Sequence, residues 1–232
     1  MRPNEASKPV TELALLHIKS TADVSATRSA LLSAAKAQAD YAKYPVHLFK
    51  QVEDPSYIYL LGGWSSIAAH LDDWIPGPTN QALMASLMDK LEVEWMIHID
   101  IDPTPLQRAE REPAAAAEND QAEAIPLNAP VLGIGRYLIA ANQEEAFLNK
   151  FQEKKGLLKS YVAPRTLKGG IRVAPKDKSE NGAEKEEFVL FSGWGEVQDH
   201  LRFAETKEFK EFKTIMNFME GAEIKHASLW LD

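Results

Sequence analysis

The sequence predicts an α+β protein in which one β-α-β-β-α-β unit is used twice. Gly63-Trp64, His70 and Leu71 recur as Gly193-Trp194, His200 and Leu201, each pair 130 positions apart (194 − 64). The segments around both copies alternate between strand and helical periodicity in the same order. Between them, residues 103–130 are rich in Pro, Ala, Glu and Gln and poor in large apolar side chains, which reads as a linker.

Residues 1–10 read as a polar tail lacking the apolar core of a signal peptide. Thr11–Lys19 is short, apolar and followed by Ser20-Thr21-Ala22-Asp23, which predicts a strand. Leu13, Leu15, His17 and Lys19 would share one face, and Ala14, Leu16 and Ile18 the face that meets helices. Val24–Tyr44 is alanine-rich, with Leu31, Leu32, Ala35 and Ala39 at helical spacing, and Pro45 stops it. Val46–Val52 and Tyr57–Leu61 flank the Asp54-Pro55-Ser56 turn as two strands. Ser65 or Ser66 opens a helix carrying His70 and Trp74, which Pro76-Gly77-Pro78 interrupts before a second helical stretch at Asn80–Leu91. Glu94–Asp102 alternates, with Trp95, Ile97, Ile99 and Ile101 on one face and Met96, His98 and Asp100 on the other. His98 is therefore expected on the face of Tyr57 and Tyr59. The first unit spans 11–102, and its element order is the split βαβ plan of a ferredoxin-like unit.

The second unit spans 131–232. Val131–Ala140 is its first strand, and Asn142–Lys155 a helix ended by Gly156 with Phe147, Leu148 and Phe151 inward. Arg165–Val173 and Glu187–Ser192 form a hairpin with a charged tip at Ala174–Glu186. Helices follow at Glu196–Ala204 and Thr206–Met219, the latter with Phe209, Phe212 and Met216 inward, then a last strand at Ile224–Leu231. A four-stranded antiparallel sheet with helices on one face must have its other face covered. Two such sheets packed face to face would make a closed, pseudo-dimeric barrel.

Composition narrows the function. The net charge is −8, which argues against a nucleic-acid backbone or an anionic membrane as partner. There are no cysteines, so disulfides, thiolate nucleophiles and Cys-ligated metals are excluded. No apolar run approaches a membrane span, and a cytoplasmic protein is expected. The six histidines show neither HxH nor HExxH spacing, so no metal site is expected. Gly133-x-Gly135 lies inside a strand and is rejected as a dinucleotide fingerprint. No phosphate loop or serine elbow is present, and no cofactor is expected.

A Trp closing the third strand, a His in the next helix, and a helical run such as Phe203–Phe212 together resemble the dimeric α/β-barrel superfamily. More narrowly they resemble its antibiotic-biosynthesis-monooxygenase-like branch, in the tandem form that fungal genomes carry. That resemblance implies an enzyme acting without a cofactor on a small hydrophobic, aromatic or polyketide-like molecule inside the barrel. The chemistry would be oxygenation or cyclisation in secondary metabolism. On this reading His17, His98, His70 and His200 are the catalytic candidates, since imidazole exchanges protons near neutral pH. Tyr57, Tyr59, Trp64, Arg136 and Trp194 are the substrate-binding candidates. His17 and Arg136 align if the first strands are matched at Leu13 and Leu132. His226, on the last strand, has no register that the sequence settles. The alternative is a non-catalytic ligand-binding or stress-related protein whose Trp and His residues only hold corners together. A pocket of roughly 300 Å3 or more separates the two readings. Pairing into a homodimer through outer helices or strand edges is left open.

Overall fold

The computed structural model describes residues 8–104, 124–176 and 185–230. Most of the 103–130 linker, residues 1–7 and most of the 174–186 hairpin tip lie outside the described residues. Two compact units form. Unit 1 gathers 8–104 with the short later segments 173–175 and 229–230, and unit 2 gathers 124–172, 176 and 185–228.

Unit 1 contains β1 (Val10–Ile18), α1 (Val24–Ala42), β2 (His47–Gln51), β3 (Tyr57–Trp64), a π-helical turn (Ala69–Trp74), α2 (Pro78–Leu87) and β4 (Leu91–Ile99). Asp23 caps α1 by accepting from the Ala26 amide. At the far end, Lys43 takes a left-handed conformation that closes the helix ahead of Pro45. Both edges of β1 pair antiparallel, with β3 and with β4, and β2 pairs with β3. Leu16, Ile18 and Ile58 meet Leu31, Ala35 and Leu87 of the helices, as the parity of β1 predicts. Leu13, Leu61 and Ile97 point to the opposite face and are also buried.

Unit 2 contains β5 (Val131–Ile139), α3 (Glu144–Val162), β6 (Leu167–Ala174), β7 (Glu186–Trp194), α4 (Val197–Phe203), α5 (Lys207–Phe212), a 3-10 segment (Lys213–Phe218) and β8 (Met219–Leu229), except that Val173 and Ala174 at the end of β6 and Leu229 at the end of β8 belong to unit 1. β5 pairs with β7 and β8, and β6 with β7, all antiparallel. Tyr137, Phe147, Phe151, Phe188, Phe203 and Phe212 form an aromatic core between sheet and helices. Each such burial stabilises by roughly 1.5–3 kcal/mol relative to exposure.

Three expectations change. α3 runs through Gly156 to Val162, because Leu158 and Val162 extend the buried stripe begun by Phe147 and Phe151. The helix expected to Met219 tightens to 3-10 after Phe212, which buries Ile215 and leaves Met216 55% exposed. β4 begins at Leu91 and ends at Ile99, because α2 stops at Leu87 and Leu91 already packs in the strand core.

Candidate functional site

Trp64 ends β3, and the chain turns at once into the segment that holds His70. The six-residue spacing folds the imidazole back onto the indole, with centroids 4.1 Å apart and planes at 8°. His70 Nδ1 lies 2.8 Å from His98 Nε2 on β4, the two rings edge to face. Trp74 tilts against Trp64 at 6.1 Å, and Tyr41 of α1 closes the corner 4.9 Å from Trp74. Unit 2 has the same arrangement. Trp194 stacks on His200 at 4.2 Å and 10°, His200 Nδ1 is 2.8 Å from His226 Nε2, and Phe203 and Tyr161 take the places of Trp74 and Tyr41. Trp74 follows its His by four residues and Phe203 by three. The π turn, closed by Ile75 N–H donating to His70 O at 2.9 Å, absorbs that extra residue.

The partners assign the protons in unit 1. His98 Nδ1 lies 3.3 Å from the Ala174 carbonyl oxygen, which can only accept. Nδ1 therefore carries hydrogen, Nε2 accepts, and His70 Nδ1–H is the donor. The lone pair of His70 Nε2 is then left 3.9 Å from Glu12 Oε1. Glu12 is only 4% exposed, and its other oxygen accepts from the Trp64 indole at 2.7 Å and the Gln38 amide at 2.6 Å. Burial pushes its carboxyl up to about 7, against the lowering effect of those two bonds. Burial, with a smaller contribution from His98, holds His70 down at about 3. Burial lowers His98 to about 4, opposed by its bond to Ala174.

Unit 2 solves the same indole differently. Glu12 faces Gly62 across β1 and β3, whereas Gly133 faces Ser192 across β5 and β7. Trp194 donates to Ser192 Oγ at 2.8 Å. A Cβ on Gly133 would lie 2.7 Å from both of those atoms, so serine excludes a side chain at 133. The space released is part of a cavity of about 180 Å3 between sheet and helices. Gly133 and Gly135 form its floor, Ser192 and His200 line it, and the aromatic core of unit 2 walls it. Met216 and Ile224, 55% and 42% exposed, also line it and so mark its open side. A second recess, of about 260 Å3, lies beside Arg165, Trp194 and Asp199. Both fall short of the roughly 300 Å3 set for a ligand-sized site.

The predicted site residues separate. His98 faces the helices with Glu12, its cross-strand partner, while Ile97 faces away with Leu13. It therefore lies on the face opposite Tyr57 and Tyr59. His17 stacks on Tyr57 at 4.6 Å, is about one-third exposed, and approaches Glu94 at 3.6 Å. Tyr59 accepts from Gln51 and lies near Trp95. Arg136 binds Glu187, which Arg172 also holds at 2.9 Å. Val10 opposes Trp64 and Val131 opposes Trp194, so the first strands align with an offset of 121 (131 − 10). His17 thus corresponds to Leu138 rather than Arg136. Trp64 and Trp194 each give one ring face to a histidine. Among the described residues, His17, Glu92 and Glu94 approach closely enough to hold a metal, but Lys19 already pairs with Glu92 at 3.4 Å. Glu12, Gln38 and Ser192 escaped the sequence reading. Glu12 was accessible to it, since it shares the parity of Ala14, Leu16 and Ile18 and is the one acid on that face.

No family model matches the chain, and no curated protein matches it. Solved structures do. An anthrone oxidase-like protein aligns with TM-score 0.61 and 11% identity, covering 98% of this chain and 94% of that one. A candidate monooxygenase of Fusobacterium nucleatum aligns with TM-score 0.60 and 11% identity, covering 97% and 94%. A mutant chlorite dismutase of Candidatus Nitrospira defluvii aligns with TM-score 0.55 and 8% identity, covering 97% and 92%. At such identities the likeness is one of fold, the α+β fold of the dimeric α/β-barrel kind. Among the described residues, no helix is long and apolar enough to cross a membrane.

Proposed function

We propose that the chain is a small-molecule oxidative enzyme whose substrate sits in the unit-2 cavity beside the His200–His226 pair. The observation that carries this is the cavity itself: an apolar space with His200, the partner of His226, at its wall. Its volume favours a compact aromatic molecule over a polyketide-sized one, since a cavity of about 150 Å3 already holds benzene. The chemistry proposed needs no cofactor. An imidazole takes a proton from an activated methylene, and O2 takes four electrons from that carbon, R2CH2 + O2 → R2C=O + H2O. The monooxygenase and oxidase-like fold neighbours support the class by analogy. His70, His98 and Glu12 are read as a buried proton store in unit 1, and His17, Tyr57, Tyr59 and Arg136 as packing and ion-pair residues.

The same proposal takes the chain as two tandem ferredoxin-like units, 11–102 and 131–232, behind a 1–10 tail and joined by a 103–130 linker. They would pair into one pseudo-dimeric barrel, a tandem monooxygenase-like protein of the fungal type, cytoplasmic and serving secondary metabolism. Solved neighbours that align over nearly the whole chain support the pairing.

Incubation of one-ring methylene and phenolic compounds with the protein, followed by O2 electrode and mass spectrometry, tests the activity. The expected product exchanges two hydrogens for one oxygen, and His200→Ala should lower the rate at least 100-fold with little change in Tm. An unchanged rate in that variant removes His200 from the chemistry. A second reading, non-catalytic ligand binding, is favoured by the small cavity volume. Saturable binding without O2 uptake by any compound would establish it.

A further inference from the structure

The Trp–His–His geometry of the two units agrees closely, yet the space beside it does not. With strands aligned at an offset of 121, Glu12 and Ala14 correspond to Gly133 and Gly135. Unit 1 fills this place with the Glu12 carboxyl and the Gln38 amide. Unit 2 leaves it as the floor of the cavity.

We propose that the unit-2 cavity selects a single-ring aromatic molecule bearing an anionic or hydrogen-bond-accepting group, of which benzoate and phenol are the simplest probes. This deepens the functional reading above and rests on it for the choice of site. Phe203, Phe209, Phe212 and Leu158 line the cavity and match the faces and edges of one ring. At about 180 Å3 the cavity is little larger than the roughly 150 Å3 that holds a single benzene ring. Ser192 Oγ accepts the Trp194 N–H, and its own hydrogen remains to donate to a ligand. Lys213 lines the same cavity, is exposed, and makes no ion pair among the described residues. Among the described residues no Asp or Glu lines the cavity, so a cationic group meets no carboxylate to offset its desolvation there.

The test uses the full chain and follows the Trp194 indole N–H by 1H–15N NMR during titration with benzoate, phenol, toluene, benzylamine and 2-naphthoate. Benzoate and phenol should shift that signal saturably, with benzylamine and 2-naphthoate at least tenfold weaker. Ser192→Ala should weaken phenol about fivefold relative to toluene. Lys213→Ala, a surface change that spares the fold, should weaken benzoate but not phenol. Equal affinity for benzylamine, tighter binding of 2-naphthoate, or shifts at Trp64 in place of Trp194 overturn the proposal. Selective binding without O2 uptake leaves it standing and removes the oxidative reading. Turnover of two-ring substrates does the reverse.

Discussion

A buried indole N–H requires an acceptor, and the chain supplies one in two ways. Trp64 uses Glu12 with Gly62 opposite, while Trp194 uses Ser192 with Gly133 opposite. The residues of each pair should therefore be energetically coupled. At pH 6, Glu12→Gly strips the acceptor from Trp64 and Gln38 and should cost about 3 kcal/mol by denaturant melts. Gly62→Ser alone should cost about 1 kcal/mol, because its Cβ would sit 3.0 Å from Gln38 Nε2. The double variant imports the unit-2 solution and should recover about 1–2 kcal/mol relative to the sum. Strict additivity would show that the two pairs are unrelated. The Trp–His spacing was legible in the sequence because both ends lie within one turn of a strand–helix corner. The His70–His98 contact was not, since it depends on which face of β4 meets the helices.

Among elements, the parity expected for β1 matches its packing, and that expected for β4 does not. Alternation sorts residues into two sets without saying which set meets the helices. In β4 the polar set, through His98, turned out to face them, because Glu12 on β1 offered a polar neighbour there. Helix ends show a related limit. Gly156 looked like a stop, yet α3 continues because the next buried positions, Leu158 and Val162, outweigh a glycine penalty of about 1 kcal/mol. A Cβ at 156 would meet nothing within 4 Å. Gly156→Ala should therefore stabilise the protein by about 0.5–1 kcal/mol, read as a raised midpoint in urea. A lowered midpoint would mean that the glycine serves a contact not seen in this structure.

For the molecule as a whole, the buried titratable groups of unit 1 shape stability against pH. Glu12 holds its proton more tightly folded than unfolded, so its contribution is full below about pH 4.5 and is lost as pH rises to about 7. His70 and His98 resist protonation when folded, so theirs is full above about pH 6.5 and is lost as pH falls toward 4 and 3. Between 4.5 and 6.5 two histidines oppose one carboxyl, and stability should climb with pH. Each unfolded imidazole is still half protonated at about pH 6.5, so the climb continues to about pH 7 and then levels, the carboxyl only making it shallower. A series of thermal melts should show the plateau beginning near pH 7, and Glu12→Gln should steepen the climb below it. An unchanged slope in that variant would contradict the buried placement of Glu12.

Periodicity and punctuation, both local properties of the chain, decided the element order, the recurrence of the Gly-Trp and His positions, and the division of β1 into two faces. Long-range packing decided the rest. It turned His98 toward Glu12, paired His200 with His226, and let a glycine facing a serine open a cavity in unit 2 where unit 1 is filled. Each of these depends on strand register, which brings together residues 26 to 86 positions apart and leaves no trace in any short window of sequence.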